Sequence, residues 1–316
     1  MSQTGEAPSG GERVAVIGLG SMGAGMAHSL LRAGFDVAGF DLNPDAMRML
    51  AEAGGAAAAS PAEAAASARA VVCVVLNAAQ TEAVLFGDGG CAEAMPKGSV
   101  FISCATMAPA AARELADRLG RLDLHYLDAP ISGGAQRAAE GALTVLASGS
   151  PEAMAAAEAV LGAMATKVFR LGDAVGTAAG LKIVNQLLAG VHITAACEAM
   201  AFAEAHGLDL ATVYDVIRSS AGNSWMFENR VPHILDDDYT PRSATDIFVK
   251  DLGIVLDIAR ADRIPVPLAS AALQAFLMTS AAGMGREDDA SVFRLYQRIR
   301  GASGDEAATV KKKEDR

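Results

Sequence analysis

The glycine-rich segment VAVIGLGSMGAGMAHSLLRAGFDVAGFDLN at residues 14–43 constrains the fold more than any other part of the sequence. An apolar, β-branched run before the glycines predicts a buried strand, and residues 21–34 predict a helix. Gly18, Gly20 and Gly23 stand between them in the spacing G-x-G-x-x-G. The first glycine permits a tight turn, the second lets a pyrophosphate approach, and the third lets helix and strand pack closely. The segment therefore predicts a dinucleotide site at a helix N-terminus.

Asp41 indicates which dinucleotide the segment would bind. It ends a second predicted strand, 35–41, and lies 23 residues after Gly18. A carboxylate there accepts hydrogen bonds from ribose hydroxyls and repels a 2′-phosphate, and no arginine follows within residues 42–44. The pattern favours NAD over NADP. A structural glycine turn with a surface aspartate is the weaker alternative, because strand and helix stand in the required places.

Strand and helix signals alternate along the first half of the chain. Helices begin at Pro44 and at Pro61, because a missing N–H costs nothing at the first helical position. Short apolar runs mark further strands, namely VVCVVL (71–76), VFIS (100–103), LHYLDA (124–129) and LTVLAS (143–148). Alternating strands and helices imply a mainly parallel sheet with helices on both faces. The predicted class is α/β, with a Rossmann-type, doubly wound sheet domain.

The pattern becomes helical after about residue 170. Residues 174–206 predict one long, largely apolar helix that is buried by two domains or by a partner subunit. Asp209 is a candidate N-cap, Gly222 a candidate helix stop, and Pro265 and Pro267 flank another helix start. We therefore predict an all-helical C-terminal domain joined through the long helix. The predicted limits are 1–12 for a disordered tail, 13–173 for the dinucleotide-binding domain, 174–301 for the helical domain and 302–316 for a second tail.

Composition argues against several classes of partner. The chain has 316 residues, enough for two domains, and its net charge of −11 repels nucleic acid and anionic membranes. The N-terminus does not resemble a signal peptide, and no apolar run is expected to span a membrane. The four cysteines lie apart without zinc spacing, as free thiols in a reducing cytoplasm do. The acidic run 236–238 has no second ligand cluster, so we interpret it as a solvated loop and expect no metal.

The segment DAPISGG at 128–134 is a candidate anion site. It follows a predicted strand, and Ser132 offers a hydroxyl while Gly133 and Gly134 let bare backbone N–H groups converge. Such a concavity suits a carboxylate. An ordinary Pro/Gly turn fits the spacing equally well.

The segment GTAAGLKIVNQLL at 176–188 places a single lysine in an apolar helical stretch. Lys182, Asn185 and Gln186 stand at i, i+3 and i+4, so their side chains share a face. Burial among apolar neighbours would lower the pKa of the lysine, which suits it to exchange a proton with an alcohol oxygen. A lysine that reaches to solvent fits the same pattern.

Several other residues give no functional signal from the sequence alone. Lys250 and Asp251 in DIFVKDLGIV (246–255) are most simply a solvated pair. Trp225, the only tryptophan, could cap a pocket, although core packing is the commoner use of this residue. His233 has no recognisable partner and is assigned no role.

Four motifs in order give the chain a family resemblance. GLGSMGAGMA, DAPISGG, the lysine helix and F-x-x-K-D-L (248–252) resemble the β-hydroxyacid dehydrogenases, the family of 3-hydroxyisobutyrate dehydrogenase, from about residue 13 to 300. The resemblance implies a catalytic Lys182, a small carboxylate substrate and a homodimer or homotetramer. It implies substrate binding by Ser132, Gly133, Gly134, Asn185 and Gln186. It implies cofactor binding by Gly18, Leu19, Gly20, Ser21, Met22, Gly23, Asp41, Leu42, Leu76, Asn77, Thr106 and Lys250. One departure is Ala178, where the family usually has glycine.

Four further segments resemble the L-threonate dehydrogenase branch of this family, namely LLAGVHI (187–193), AGNSWMFENR (221–230), DDDYTPRSATDIFVKDLG (236–253) and GREDDASV (285–292). This resemblance implies NAD-dependent oxidation of the C2 hydroxyl of a small sugar acid. Tartronate semialdehyde reductase and 3-hydroxyisobutyrate dehydrogenase are the alternatives within the family. Imine reduction is less favoured, because relatives with that activity typically replace the lysine. A non-catalytic NAD-binding protein would not need both Ser132 and Lys182.

Overall fold

The structure is a computed structural model that describes residues 11–301. The predicted tails therefore lie outside the described residues, apart from Gly11 and Glu12. The chain divides into two compact units between Ile183 and Val184. The predicted domain limits stay predictions.

A parallel sheet forms the centre of the first unit. The strands of the first unit are β1 (Arg13–Ile17), β2 (Asp36–Phe40), β3 (Ala56–Ala57), β4 (Ala70–Cys73), β5 (Val100–Ser103), β6 (His125–Asp128), β7 (Ile131–Ser132), β8 (Leu143–Ala147) and β9 (Ala165–Arg170). Within residues 11–301, the first six form one sheet in the order β3-β2-β1-β4-β5-β6, with every pair parallel. The order reverses between β1 and β4, as in doubly wound folds. The predicted fold class is confirmed.

The helices of this unit cover both faces of the sheet. They are α1 (Ser21–Arg32), α2 (Pro44–Glu52), α3 (Pro61–Ala65), α4 (Ala78–Phe86), α5 (Pro109–Gly120), α6 (Gly134–Glu140) and α7 (Pro151–Met164). Strand β1 shows why two layers are needed. Val14 and Val16 belong to one buried cluster, and Ala15 and Ile17 belong to another on the opposite face. Continuous apolar runs of this kind are typical of parallel strands buried on both sides.

The predicted strand LTVLAS (143–148) belongs to a second, smaller sheet. There β8 pairs antiparallel with β7 and parallel with β9. The sequence did not indicate β3, β7 or β9. β3 and β7 are two residues long, and β9 has no buried side chain to produce an apolar run.

The second unit is helical. Helix α8 (Thr177–Ala205) begins in the first unit and continues into the second, which also contains α9 (Leu210–Arg218), α10 (Trp225–Leu235), α11 (Thr245–Asp262), α12 (Pro267–Thr279) and α13 (Val292–Ile299). A π-helical turn, Ser280–Met284, and a 3₁₀ turn, Asp289–Ser291, separate the last two helices. Asp209 caps α9 as predicted, because its carboxylate accepts a hydrogen bond from the Thr212 N–H at 2.8 Å. The predicted stop at Gly222 is wrong: α9 already ends at Arg218, where the Ser219 N–H bonds back to Val216 and tightens the turn.

Helix α8 confirms the predicted long apolar helix, with slightly narrower limits than the predicted 174–206, but it corrects the expectation that no apolar run could span a membrane. Among residues 11–301 it alone is long and apolar enough to cross a membrane by length and composition, with a mean hydropathy of 1.3 over its best window. Of that window, 56% is buried inside the protein, as in the core helix of a soluble protein.

A buried ionic cluster in the second unit corrects a further expectation. His233 does have a partner, since its Nδ1 lies 2.8 Å from Asp288 Oδ1. Beside this pair, Arg230 binds both carboxylate oxygens of Asp289 at 2.5 and 3.0 Å. Burial raises the pKa of Asp289 to about 6, although the Arg230 guanidinium favours the charged carboxylate.

Trp225 corrects another expectation. It does not pack in the core, because 63% of it is exposed at the start of α10.

Candidate active site

The three glycines after β1 are required for different reasons. Gly18 has a φ of +90°, and a Cβ there would lie 2.3 Å from the Val74 carbonyl oxygen. A Cβ on Gly23 would lie 1.8 Å from the Gly18 carbonyl oxygen. A Cβ on Gly20 would meet nothing within 4 Å. Packing inside the protein therefore explains the first and third glycines but leaves the second without an internal reason.

The start of α1 has the features that a pyrophosphate needs. Gly20 precedes the helix and has no side chain to cap it, and among residues 11–301 no side chain accepts a hydrogen bond from the first turn. Ser21 is exposed and Met22 is half-buried, so the backbone of this turn lies at the surface. A cavity of about 330 Å³ lies beside it and is lined in part by Gly20, Ser21 and Asn43. Open space at a glycine beside uncapped N–H groups fits a dinucleotide phosphate.

Asp41 is held against the glycine loop. One carboxylate oxygen accepts a hydrogen bond from the Leu19 N–H at 2.6 Å, and the other accepts one from the Asn43 N–H at 2.7 Å. Leu42, the next predicted cofactor residue, is 91% exposed. The end of β2 and the exit of β1 are thus tied together at the position where the sequence predicts the ribose.

The remaining predicted cofactor residues of this unit also follow the carboxyl ends of strands. Leu76 and Asn77 follow β4, and Thr106 follows β5, so the parallel sheet brings them to the same edge as the glycine loop. Leu76 is 55% exposed and Thr106 is half-buried. Asn77 also caps α4, because its side-chain oxygen accepts a hydrogen bond from the Gln80 N–H at 2.9 Å.

Lys182 lies against the DAPISGG segment. Its Nζ donates a hydrogen bond to the Ile131 carbonyl oxygen at 3.0 Å, directly before Ser132. Only 8% of Lys182 is exposed, so the alternative of a lysine that reaches to solvent is wrong. Ser132 is exposed, and Gly133 and Gly134 have φ values of +139° and +78°, which favour glycine. The amine, the hydroxyl and the open backbone therefore occur together.

Asp128 is the residue that the sequence analysis missed. It ends β6 and is 1% exposed. Its Oδ2 accepts hydrogen bonds from the Gly176 N–H at 3.0 Å, the Ala179 N–H at 2.8 Å and the Ser148 hydroxyl at 3.3 Å. Burial raises the pKa of the Asp128 carboxyl, although these hydrogen bonds favour its charged form. An acidic residue that ends an apolar strand was the available signal.

A second polar group lies in the second unit. Gln186 Nε2 donates to Asp251 Oδ2 at 2.5 Å, and Lys250 Nζ lies 2.8 Å from Asp251 Oδ1. Asn185 Nδ2 donates to the Gln186 side-chain oxygen at 2.9 Å. The expectation of a solvated pair is wrong, because Asp251 is 1% exposed. The carboxylate therefore connects the predicted substrate residues on α8 with the predicted cofactor lysine on α11.

The described residues give no indication of a metal centre. Among residues 11–301, no group of three or more His, Cys, Asp or Glu side chains is arranged to hold a metal ion. All four cysteines are buried and free of disulfides.

Comparison with known proteins agrees with this geometry. Residues 13–172 match the family model for the NAD binding domain of 6-phosphogluconate dehydrogenase. Residues 176–296 match the model described as NAD-binding of NADP-dependent 3-hydroxyisobutyrate dehydrogenase. Both models describe NAD(P)-binding domains.

Individual relatives resemble the chain over most of its length. An L-threonate dehydrogenase of Cupriavidus necator is 56% identical over 286 residues, which cover 90% of this chain and 96% of the relative. An L-threonate dehydrogenase of Escherichia coli is 49% identical over 287 residues, covering 90% and 95%. The crystal structure of a 3-hydroxyisobutyrate dehydrogenase from Salmonella typhimurium superposes with a TM-score of 0.85 at 52% identity, covering 90% of this chain and 99% of that one. The chain belongs to the 3-hydroxyisobutyrate dehydrogenase family.

Proposed function

We propose that the chain is an NAD-dependent dehydrogenase that oxidises the C2 hydroxyl of L-threonate to the 2-oxo acid. The contact between the Lys182 amine and the Ile131 carbonyl carries the proposal, because it holds a proton-exchanging group beside Ser132. The relatives at 56% and 49% identity support the choice of L-threonate. Tartronate semialdehyde and 3-hydroxyisobutyrate are the alternative substrates.

The roles of the first-unit residues follow from their chemistry. Ser132 and the backbone N–H groups of Gly133 and Gly134 bind the substrate carboxylate. Lys182 accepts the proton of the C2 hydroxyl as the C–O bond becomes a carbonyl. The nicotinamide, when bound, takes up the hydrogen and electron pair that leave C2.

The second-unit residues supply specificity. Asn185 and Gln186 offer amide groups to the further hydroxyls of a sugar acid, and a site built for these hydroxyls rejects analogues that lack them. The family resemblance implies that Lys250, which lies 2.8 Å from Asp251, contacts the cofactor.

The preference for NAD rests on Asp41. Its carboxylate lies against the glycine loop and would repel a 2′-phosphate. No arginine follows in residues 42–44 to offset that repulsion.

We also propose that the enzyme works as a homodimer or homotetramer in the cytoplasm. Val184, Leu188 and Phe202 of α8 expose 54, 49 and 67% of their surface, and a second copy of the chain would cover them. Four free, buried thiols fit a reducing compartment.

A substrate panel tests the proposal. We expect L-threonate with NAD to give a kcat/KM at least about 100-fold above those of D-threonate, glycerate and 3-hydroxyisobutyrate, because unpaired polar groups penalise the analogues. Repeating the panel with NADP tests the cofactor. A higher value for another acid would reassign the substrate, and nucleotide binding without turnover of any acid would favour a non-catalytic protein.

The variant Lys182→Ala tests the mechanism. We expect turnover to fall by about 10²- to 10⁴-fold, the usual contribution of a positioned acid or base, while NAD binds as before. The matched control is Lys97→Ala, since Lys97 is exposed and pairs with Asp123 on the surface. Near-normal turnover in Lys182→Ala would remove this lysine from the mechanism.

A further inference from the structure

The first turn of α8 cannot be capped by the residue that precedes it. That residue is Gly176, whose φ is +96°. A Cβ there would lie 2.7 Å from Arg113 Nη1 and 3.0 Å from the Pro109 carbonyl oxygen. The N–H groups that open a helix have no partners within the helix and need acceptors from elsewhere. The start of α8 therefore depends on side chains from other elements.

Asp128 and Ser148 supply those acceptors. The Asp128 carboxylate receives the N–H groups of Gly176 and Ala179 at 3.0 and 2.8 Å, and the Ser148 hydroxyl receives that of Ala178 at 3.0 Å. A negative charge is stabilising at this end of a helix. Asp128, at the end of β6, and Ser148, directly after β8, thus take the place of an N-cap side chain.

A second contact lies one turn further along α8. Ala179 and Lys182 are at i and i+3, so they lie on the same face of the helix. On the opposing segment, Asp128 and Ile131 are likewise three residues apart, and Ile131 accepts the hydrogen bond from Lys182 at 3.0 Å. The segment from Asp128 to Ile131 therefore touches α8 at two points. The contact of Asp128 with the first turn of the helix sets where the Lys182 amine meets the Ile131 carbonyl.

We propose that Asp128 is a positioning residue, which holds α8 so that the Lys182 amine stays against the backbone beside Ser132. This inference rests on the proposed function, because it assigns Asp128 a role through the catalytic lysine. Asp128 does not touch the substrate. Its loss lets the first turn of α8 fray and displaces the amine, and a misplacement of about 1 Å costs roughly 100-fold in rate.

The test compares variants of the full-length enzyme by turnover per nucleotide-binding site. For Asp128→Asn we expect kcat to fall by about 10- to 100-fold. NAD affinity should be unchanged, because β4 and β5 lie in the sheet between β6, which ends at Asp128, and β1, which precedes the glycine loop. Ser148→Ala removes one uncharged acceptor from the same turn and should give a smaller fall. Asp209→Ala removes the cap of α9 and is the matched control, for which we expect unchanged kcat.

A double-mutant cycle with Lys182→Ala separates positioning from a general structural role. If Asp128 acts through the lysine, Asp128→Asn causes no further loss once the lysine is absent. A further loss of about tenfold in that background would overturn the inference, as would an equal fall in kcat for Asp209→Ala. Wild-type turnover in both Asp128→Asn and Ser148→Ala would also overturn it. Should Asp128→Asn not fold, Ser148→Ala decides alone, and wild-type kcat in that variant refutes the inference. Near-normal turnover in Lys182→Ala refutes the proposed mechanism instead, so the two failures are distinguishable.

Discussion

Replacing Gly20 and Gly23 by alanine in turn distinguishes a glycine that a bound ligand requires from a glycine that internal packing requires. Gly20 has φ −64° and ψ −167°, a conformation that alanine adopts without strain. Its Cβ would meet no protein atom within 4 Å. Alanine at a compatible position restricts the unfolded chain, so we expect stability to stay level or to rise by about 0.4–1 kcal/mol.

The neighbouring glycine gives the opposite expectation. The Cβ of Gly23→Ala would overlap the Gly18 carbonyl oxygen at 1.8 Å, and backbone must move to relieve the contact. Overpacking of this kind costs about 3 kcal/mol or more, which is a fall in Tm of roughly 6–12 °C for a unit of this size. Gly23→Ala should lose stability, whereas Gly20→Ala should lose cofactor affinity alone.

Thermal melts and nucleotide titrations of the same preparations decide the matter. For Gly20→Ala we expect the Kd for NAD to rise at least tenfold, or about 1.4 kcal/mol, because the added methyl blocks the pyrophosphate. Gly162→Ala is the matched control, since its Cβ also meets nothing within 4 Å but it lies in α7, away from the site. Wild-type NAD affinity in Gly20→Ala would refute the assignment of this turn to the dinucleotide.

Two further substitutions probe the cofactor preference and the ionic core. Asp41→Ala should weaken NAD binding and raise the kcat/KM ratio of NADP to NAD by about tenfold, because the carboxylate no longer repels a 2′-phosphate; unchanged ratios would exclude the ribose contact. Arg230→Leu leaves the buried Asp289 unpaired and should cost about 3–5 kcal/mol in a urea melt at neutral pH. Burial raises the pKa of Asp289 to about 6 even with Arg230 in place, and removing the guanidinium raises that pKa further. Protonation below pH 6 therefore neutralises the carboxyl, and the destabilisation caused by Arg230→Leu should be smaller there. The control Arg170→Ala breaks an exposed pair and should change stability little; an equal loss in both variants would contradict the reasoning.

The sheet could be predicted from the sequence because its signals are local and repeat. β1, β4 and β5 are apolar on both faces, so each reads as a buried strand without knowledge of its neighbours. Pro44 and Pro61 mark the starts of α2 and α3 in the same local way. The second sheet was missed because β9 has exposed and half-buried residues only, so its pairing with β8 leaves no apolar pattern.

The partners of buried charges could not be predicted, because they are distant in sequence. His233 and Asp288 are 55 residues apart, and Asp251 meets Gln186 across 65 residues. Propensity and periodicity describe neighbours along the chain. They therefore indicated no partner for His233 and predicted that Asp251 is solvated. Burial of both acids is a property of the packed helices.

The helix starts show how local and distant information combine at the candidate site. Six of the thirteen α-helices within residues 11–301 begin with a side-chain cap that can be read from the sequence, as with Asp209 for α9; the six are α2, α3, α4, α7, α9 and α10. Within residues 11–301, three helices instead follow a glycine, namely α1 after Gly20, α6 after Gly133 and α8 after Gly176. For α8 the acceptor is Asp128, 51 residues away from Ala179. For α1 and α6 no side chain of the part of the chain that the structure describes caps the start, and these are the positions where we propose the pyrophosphate and the substrate carboxylate. A glycine has no side chain to cap the helix that follows it, so the opening N–H groups of such a helix are left for an acceptor from outside the local sequence, either another strand or a bound anion.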